Sequence, residues 1–268
     1  MTRVSEPLTD PACWLRFAES SSVIAQAAGA RIMAVFGRAT AADKADGSPL
    51  TEADLAAEHA IAAGLAEAFP ALPVVSEEDA VRRDTSPEGP YVLVDPLDGT
   101  REFLSGSGDF TVNIALIVEG APVAGVVLAP ALGRMWLGAR GAGARRVEGG
   151  QSRPIAVRRP PAGELVAVAS RSHRDAETEA FLTRLPVAAM RSVGSSLKFC
   201  LVAEAAADVY PRFGPTMEWD TAAGQAVLEA AGGHVLTPDG APFRYGKPGW
   251  RNGAFIAWGA HPDQGTAA

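Results

Sequence analysis

Between Cys13 and Phe36 apolar residues return every three or four positions, the interval that lines one face of an α-helix, so a helix is predicted there. The periodicity stops at Arg38 to Pro49, where Lys44, Gly47 and Pro49 interrupt it and predict an exposed, mobile loop. It resumes at Thr51. Leu55, Ile61, Leu65 and Phe69 share a face of a second helix that has to end before Pro70. The pattern then changes to short apolar runs: Leu72–Val75, Tyr91–Val94, Phe110–Val118 and Pro122–Ala129, the last two joined through Glu119-Gly120-Ala121 as an antiparallel hairpin, with Met135–Gly138 as a further strand. The glycine- and charge-rich stretch Gly141–Pro154 reads as a boundary, so residues 1–150 are expected to form an α+β domain with a largely antiparallel sheet.

From residue 151 to 268 strands and helices alternate, which predicts an α/β layer. Glu164–Ser170 reads as extended, Ala176–Leu185 as helical, Met190–Val193 as extended, Leu197–Ala206 as helical and Asp208–Arg212 as extended. A long alanine-rich helix then opens at Trp219-Asp220-Thr221 and closes at Gly232 and Gly233, residues suited to a left-handed cap. The tail from His261 is expected to fray.

Composition narrows the class. At 268 residues the chain can build one large or two ordinary domains with substantial cores. No apolar run approaches the roughly 20 residues of a membrane helix, and Met1–Asp10 lacks the hydrophobic stretch of a secretion signal. The expected location is the cytoplasm, with loose attachment to the cytoplasmic side of an inner membrane left open. Cys13 and Cys200 are too few for a disulfide scaffold or a zinc finger, and the four histidines form no His-x-x-x-His pair of the zinc-hydrolase kind. A formal net charge of −7 argues against a surface for a nucleic-acid polymer. Small anions stay admissible, because a bound divalent ion outweighs a neighbouring carboxylate. Nothing in the sequence chooses between monomer and homodimer.

The chemistry concentrates in Tyr91–Phe103, YVLVDPLDGTREF. Asp95 is expected at the last position of a buried strand and Asp98 after a Pro-Leu step, so a tight turn can aim both carboxylates and the Leu97 carbonyl at one point. Hard oxygens converging in this way suit Mg²⁺, Mn²⁺ or Ca²⁺ rather than zinc. Each acid also has a purely structural explanation. Asp, Pro and Gly are ordinary turn formers, Asp54 stands at the capping-box position after Thr51, Glu77 belongs to the acidic run Ser76–Asp79, and Asp220 opens a helix as an N-cap. Their conjunction points further. Glu77 and Asp95 each follow a strand while Asp54 and Asp220 stand at helix starts, the places where a layered fold gathers a site.

With those residues in view the sequence resembles the inositol monophosphatase superfamily of metal-dependent, lithium-sensitive phosphatases. Its two signatures stand here as DPLDGTREF (Asp95–Phe103) and EWDTAAGQAVLEAAGG (Glu218–Gly233). Within that superfamily the chain is most similar to the 3′(2′),5′-bisphosphate nucleotidases, through KADGSPLTEAD, VVSEED, SRSHRDAE and GSSLKFCLVAEAAADVYPRFGPT. The likeness covers nearly the whole chain, and it implies a five-layered α/β/α/β/α sandwich holding two to three Mg²⁺ ions. Glu77, Asp95 and the Leu97 carbonyl would hold a first ion and Asp95, Asp98 and Asp220 a second, with a third, weaker one near Glu77. Thr100 and Asp54 would orient and deprotonate the attacking water, with Glu77 counted beside them as catalytic. Gly99 and Thr100 would offer backbone N–H groups to the phosphate, and Glu77, Leu97, Asp98 and Asp220 would also face the substrate.

The same resemblance assigns Ser195 and Lys198 to nucleotide phosphate and ribose contacts, with His173 and Arg212 as further candidates for which an ordinary surface position stays open. The implied reaction removes the 3′-phosphate of adenosine 3′,5′-bisphosphate, and of 3′-phosphoadenylyl sulfate, in sulfur assimilation. The alternative is an inositol-1-phosphate or sugar bisphosphate phosphatase using the same metals. Two features stand apart: Glu218 adds an acid beside the expected metal site, and no aromatic pair for stacking adenine is evident.

Overall fold

The structure, a computed structural model, describes residues 10–38, 41–43, 49–78, 87–160, 164–170 and 175–260. Asp10 caps the first helix by accepting from the Cys13 N–H, and Pro11 occupies the first turn, where its missing donor costs nothing; α1 then runs Pro11–Val35. β1 (Ala41–Asp43) pairs antiparallel with β2 (Pro49–Thr51), so the flanks of the expected loop form a ladder, while Lys44 and Gly47 fall outside the described residues. α2 (Glu52–Ala68) starts from a full capping box, with Asp54 in place of the usual Glu or Gln. β3 (Val74–Ser76), β4 (Tyr91–Asp98), α3 (Thr100–Leu104), β5 (Thr111–Val118), β6 (Ala121–Ala129), β7 (Arg134–Ala139), β8 (Gly143–Glu148) and β9 (Gln151–Ile155) follow.

β3 to β9 lie in chain order in one seven-stranded sheet, parallel only between β3 and β4. β4, β5 and β6 are buried along almost their entire length, which is why their sequences read as unbroken apolar runs rather than alternating ones. The stretch Gly141–Pro154 builds the β8–β9 hairpin of this same sheet. Gly149 and Gly150, both at positive φ, supply its turn, so the sheet continues to Ile155.

The second half comprises β10 (Leu165–Ser170), α4 (Ala176–Leu182), β11 (Val187–Val193), α5 (Leu197–Ala203), β12 (Val209–Arg212), β13 (Thr216–Met217), α6 (Ala222–Ala230), β14 (His234–Leu236), β15 (Arg251–Asn252) and β16 (Phe255–Trp258). Its five-stranded sheet has the order β11-β10-β12-β16-β14, parallel across β11-β10-β12 and antiparallel at β16. α1 and α2 cover the outer face of the large sheet through a core that includes Phe17, Ile32, Ile61 and Ile114. α5 and α6 fill the space between the sheets with Phe199, Val227, Trp136 and Phe255, and α4 closes the far side over Leu182 and Trp258. This is the five-layered α/β/α/β/α arrangement. The contact of α6 with β6 is close enough that a Cβ on Gly125 would stand 2.7 Å from the Ala223 carbonyl oxygen, and that approach fixes the helix bringing Asp220 to the inner end of β4.

Candidate active site

β4 reaches further than its apolar run. It continues beyond Asp95 to Asp98, with Asp95 opposite Asn113 and Asp98 opposite Thr111, so the strand carries one extra residue in a bulge. The bulge turns the Asp95–Asp98 segment toward the interior, and Asp95 Oδ1 steadies it by accepting from the Leu97 N–H at 3.1 Å. Gly99 then takes φ +92, a left-handed conformation that residues with a Cβ rarely adopt, and carries the chain into α3.

A cavity of about 320 Å³ opens at this point, between the end of the large sheet and the loops of the second half. Its wall brings together Glu77, Asp95, Leu97, Asp98, Gly99, Thr100, Ser195, Lys198, Arg212 and Asp220. Asp54 stands behind Thr100, whose Oγ1 donates toward Asp54 Oδ1 at 3.4 Å and the Leu97 carbonyl at 3.3 Å. Asp54 is therefore both cap and neighbour of the cavity wall. Its Oδ2 accepts from the Thr51 N–H and hydroxyl at 2.7 and 2.6 Å. His173 lies outside the described residues.

The acids share a pattern. Asp98 Oδ2 accepts from the Ser196 N–H at 2.7 Å, Asn113 Nδ2 at 3.2 Å and Thr111 Oγ1 at 3.4 Å, while Asp220 Oδ2 accepts from the Met217 N–H at 2.9 Å. The second oxygen of Asp95, Asp98 and Asp220 takes no hydrogen bond from the described residues. Asp220 is thus not the helix cap its position suggested. Thr221 holds the N-cap position of α6, and the Asp220 carboxylate folds back over the β13 turn.

Charge is out of balance here. Burial, then Glu77, Asp98, Asp220 and Asp54, push the Asp95 carboxyl well above the ordinary carboxylate range. Burial and then Asp98 do the same to Asp220, and burial also raises Asp98 against the opposing pull of Lys198 and its hydrogen-bond donors. Among the described residues no three acidic, histidine or cysteine side chains form a ready-made metal cluster. The donor chemistry nonetheless fits a hard divalent cation: the oxygens of Asp95, Asp98 and Asp220 that take no hydrogen bond from the described residues belong to one cavity wall, in an environment short of positive charge.

The same wall carries Lys198 and Arg212, both buried, together with the more exposed Arg101. Lys198 is 4 % exposed, its ammonium donating to the Ser195 carbonyl and lying 5.3 Å from the centre of the Tyr210 ring. Burial pulls its pKa down to about 8, with Asp98 pulling the other way. Arg212, 9 % exposed, donates to the Gly214 and Pro215 carbonyls at 3.3 and 2.8 Å. Neither makes an ion pair among the described residues. Beside them Ser195 sits at φ +46 with its Oγ buried and without a hydrogen-bond partner among the described residues.

Glu218 turns away from this cavity. It is fully buried and accepts from the Gly246 and Lys247 N–H groups at 2.8 and 2.9 Å and from Lys247 Nζ at 2.9 Å, so it anchors the 244–252 loop rather than adding an acid to the wall. The aromatic residues of the cavity wall, Phe199, Tyr210 and Trp219, were not apparent as a group because they come from α5, β12 and the turn before α6. Asn113 and Ser196 were also missed. A signal existed for Asn113: an amide inside the apolar strand FTVNIALIV needs a buried partner.

A layered sandwich that gathers carboxylates around one cavity at the junction of its sheets is the build of the inositol monophosphatase family, and the chain belongs to that family, whose sequence pattern matches residues 14–264. Particular relatives narrow the likeness. The 3′(2′),5′-bisphosphate nucleotidase CysQ of Escherichia coli O157:H7 is 50% identical over 228 residues, spanning 83% of this chain and 91% of the relative. Its counterpart from Escherichia coli strain K12 is 49% identical with the same coverage. The crystal structure of CysQ from Bacteroides thetaiotaomicron superposes with a TM-score of 0.80 at 38% identity, covering 95% of this chain and 100% of that one.

Proposed function

We propose that the chain is a Mg²⁺-dependent phosphatase that removes the 3′-phosphate of adenosine 3′,5′-bisphosphate, giving AMP and phosphate. It treats 3′-phosphoadenylyl sulfate in the same way, which gives it a role in sulfur assimilation. The observation that carries this reading is the pair Lys198 and Arg212, buried in the same cavity as the acids and making no ion pair among the described residues. Buried cations need an anion. The phosphate under attack belongs to the acidic side, so a second phosphate on the same molecule is the anion that accounts for these two. The bisphosphate nucleotidase names of the curated relatives support the same substrate class, and members of this family generally use Mg²⁺.

Glu77, Asp95, the Leu97 carbonyl, Asp98 and Asp220 are the groups that would hold two to three Mg²⁺ ions. When bound there, Mg²⁺ supplies charge neutralisation at the phosphate oxygens and lowers the pKa of water. The chain's own residues do the rest. Thr100 Oγ1, already directed at Asp54, accepts a hydrogen bond from the attacking water and relays its proton to that carboxylate. The water oxygen forms a bond to phosphorus as the bond from phosphorus to the ribose 3′-oxygen breaks, and that oxygen takes a proton from solvent to leave as the 3′-hydroxyl of AMP. Backbone N–H groups of Gly99 and Thr100 and the Ser195 Oγ, which has no partner among the described residues, orient the phosphate groups.

Inositol 1-phosphate carries no second anion for Lys198 and Arg212. Phosphate release from the bisphosphate nucleotide and from inositol 1-phosphate, measured in parallel, is expected to favour the nucleotide in kcat/KM by at least about tenfold, the worth of one charge-assisted hydrogen bond. A preference for the inositol ester overturns the substrate assignment.

A further inference from the structure

Asp98 and Asp220 belong to different halves of the chain, yet one buried relay joins them. Asn113, on β5 and 1 % exposed, donates through Nδ2 to Asp98 Oδ2 at 3.2 Å and to Ser196 Oγ at 3.0 Å. Ser196, also 1 % exposed, stands just before α5 and gives its N–H to Asp98 Oδ2 at 2.7 Å and its hydroxyl to the Asp220 carbonyl oxygen at 2.6 Å. Neither side chain is part of the cavity wall. Asn113 Oδ1 is buried and has no hydrogen-bond partner among the described residues; the position of the amide is accounted for by the two groups its NH₂ serves. The hydroxyl of Ser196 is the shared member: it accepts from one half of the chain and donates to the other.

We propose that Asn113 and Ser196 are positioning residues that hold the Asp98 carboxylate and the Asp220 main chain at a fixed separation and thereby set the affinity of the cavity for its divalent cation. The inference rests on the metal-site reading above. Two arms of a chelate borne on separate layers bind tightly when their separation is fixed beforehand, because the ion then orders nothing on arrival. Three donors on Asp98 Oδ2 fix the carboxylate plane and leave Oδ1 for the cavity. The bond from Ser196 Oγ fixes the main chain that carries the second carboxylate.

The test removes the hydroxyl and keeps the backbone N–H. Mg²⁺ dissociation constants are measured by calorimetry without substrate for wild type, Ser196→Ala, Ser196→Thr and Asn113→Ala, alongside the melting temperature of each metal-stripped protein. Ser196→Ala is expected to weaken Mg²⁺ binding about tenfold, the usual cost of losing a group that orients a ligand. Ser196→Thr, which restores the hydroxyl, should recover most of that loss. Unchanged Mg²⁺ affinity in Ser196→Ala overturns the proposal, and so does a lowered melting temperature with unchanged affinity, the mark of packing alone. If Asn113→Ala fails to fold, the serine pair decides. A wild-type protein that binds Mg²⁺ and hydrolyses the nucleotide beside an equally tight Ser196→Ala refutes the relay only, whereas a wild type that takes up no Mg²⁺ removes the metal reading beneath it as well.

Discussion

Lys198 offers a test of substrate recognition that can be run by titration. Burial lowers its pKa to about 8, so in the free protein the ammonium is held below that pH and lost above it. If it pairs with the second phosphate, apparent affinity follows the protonated fraction. That fraction is close to full at pH 7 and about a tenth at pH 9, so binding weakens by about tenfold, or roughly 1.4 kcal/mol, across the interval. The substrate phosphates, with a second pKa near about 6, have finished ionising by then and add no slope of their own. The quantity to follow is kcat/KM for adenosine 3′,5′-bisphosphate divided by kcat/KM for adenosine 3′-monophosphate from pH 7 to 9. Effects on the acids and on the attacking water are common to both substrates and cancel.

The wild-type ratio is expected to fall with rising pH by about the tenfold computed from the lysine pKa. Lys198→Arg should hold it level, because a guanidinium keeps its charge throughout. Lys198→Met should also be level but low, roughly 10- to 100-fold below wild type at pH 7, for the loss of a charge-assisted hydrogen bond worth about 1.5–3 kcal/mol. A wild-type ratio indifferent to pH, or a methionine variant with the wild-type ratio, refutes the pairing of Lys198 with a second phosphate.

Two further expectations follow from the geometry. Asp54→Asn and Thr100→Ala should each lower kcat by about 100- to 10,000-fold, the range for loss of general-base assistance, and Asp54→Asn should destabilise the fold by no more than about 1 kcal/mol in urea denaturation, as for a weakened cap; a near-normal kcat would leave Asp54 a cap alone. Gly125→Ala should cost about 1–3 kcal/mol in the same assay through overpacking, since its Cβ would lie 2.7 Å from the Ala223 carbonyl oxygen and 2.8 Å from the Ala226 Cβ, and an unchanged midpoint would show that α6 can move off the sheet.

The sequence made the early helices and the β4–β7 strands readable because each carries a strong local signal: helical spacing in α1 and α2, and unbroken apolar runs in strands buried on both faces. β14 and β16 left weaker traces. At three and four residues, among glycines and prolines, they owe their strand character to pairing with β12 and with each other across the second sheet. The β8–β9 hairpin read as a boundary for a related reason, since the glycines that make its tight turn are the same residues that make flexible joints. Glu218 shows the limit of reading chemistry from spacing. Two residues from Asp220 it looked like an added acid beside the site, but the loop that returns some 28 positions later supplies two backbone donors and an ammonium, and these decide its direction.

The acids that were legible were so because of a double role that sequence alone presents as a choice. A carboxylate has two oxygens. In Asp95, Asp98 and Asp220 one oxygen secures local structure, a bulge, a crossing between layers or a turn, and the other takes no bond from the described protein. Structural and chemical explanations of these residues therefore do not compete. The hydrogen bonds that explain why an aspartate belongs in a turn also fix the direction of its remaining lone pairs, and a cavity walled by several such half-used carboxylates has the donor chemistry that suits a hard cation without any residue dedicated to that purpose alone. Asn would satisfy many of the same turns. It would bring no negative charge, and burial and mutual repulsion, which raise Asp95 and Asp220, make that charge costly to hold, a cost the turns themselves do not require.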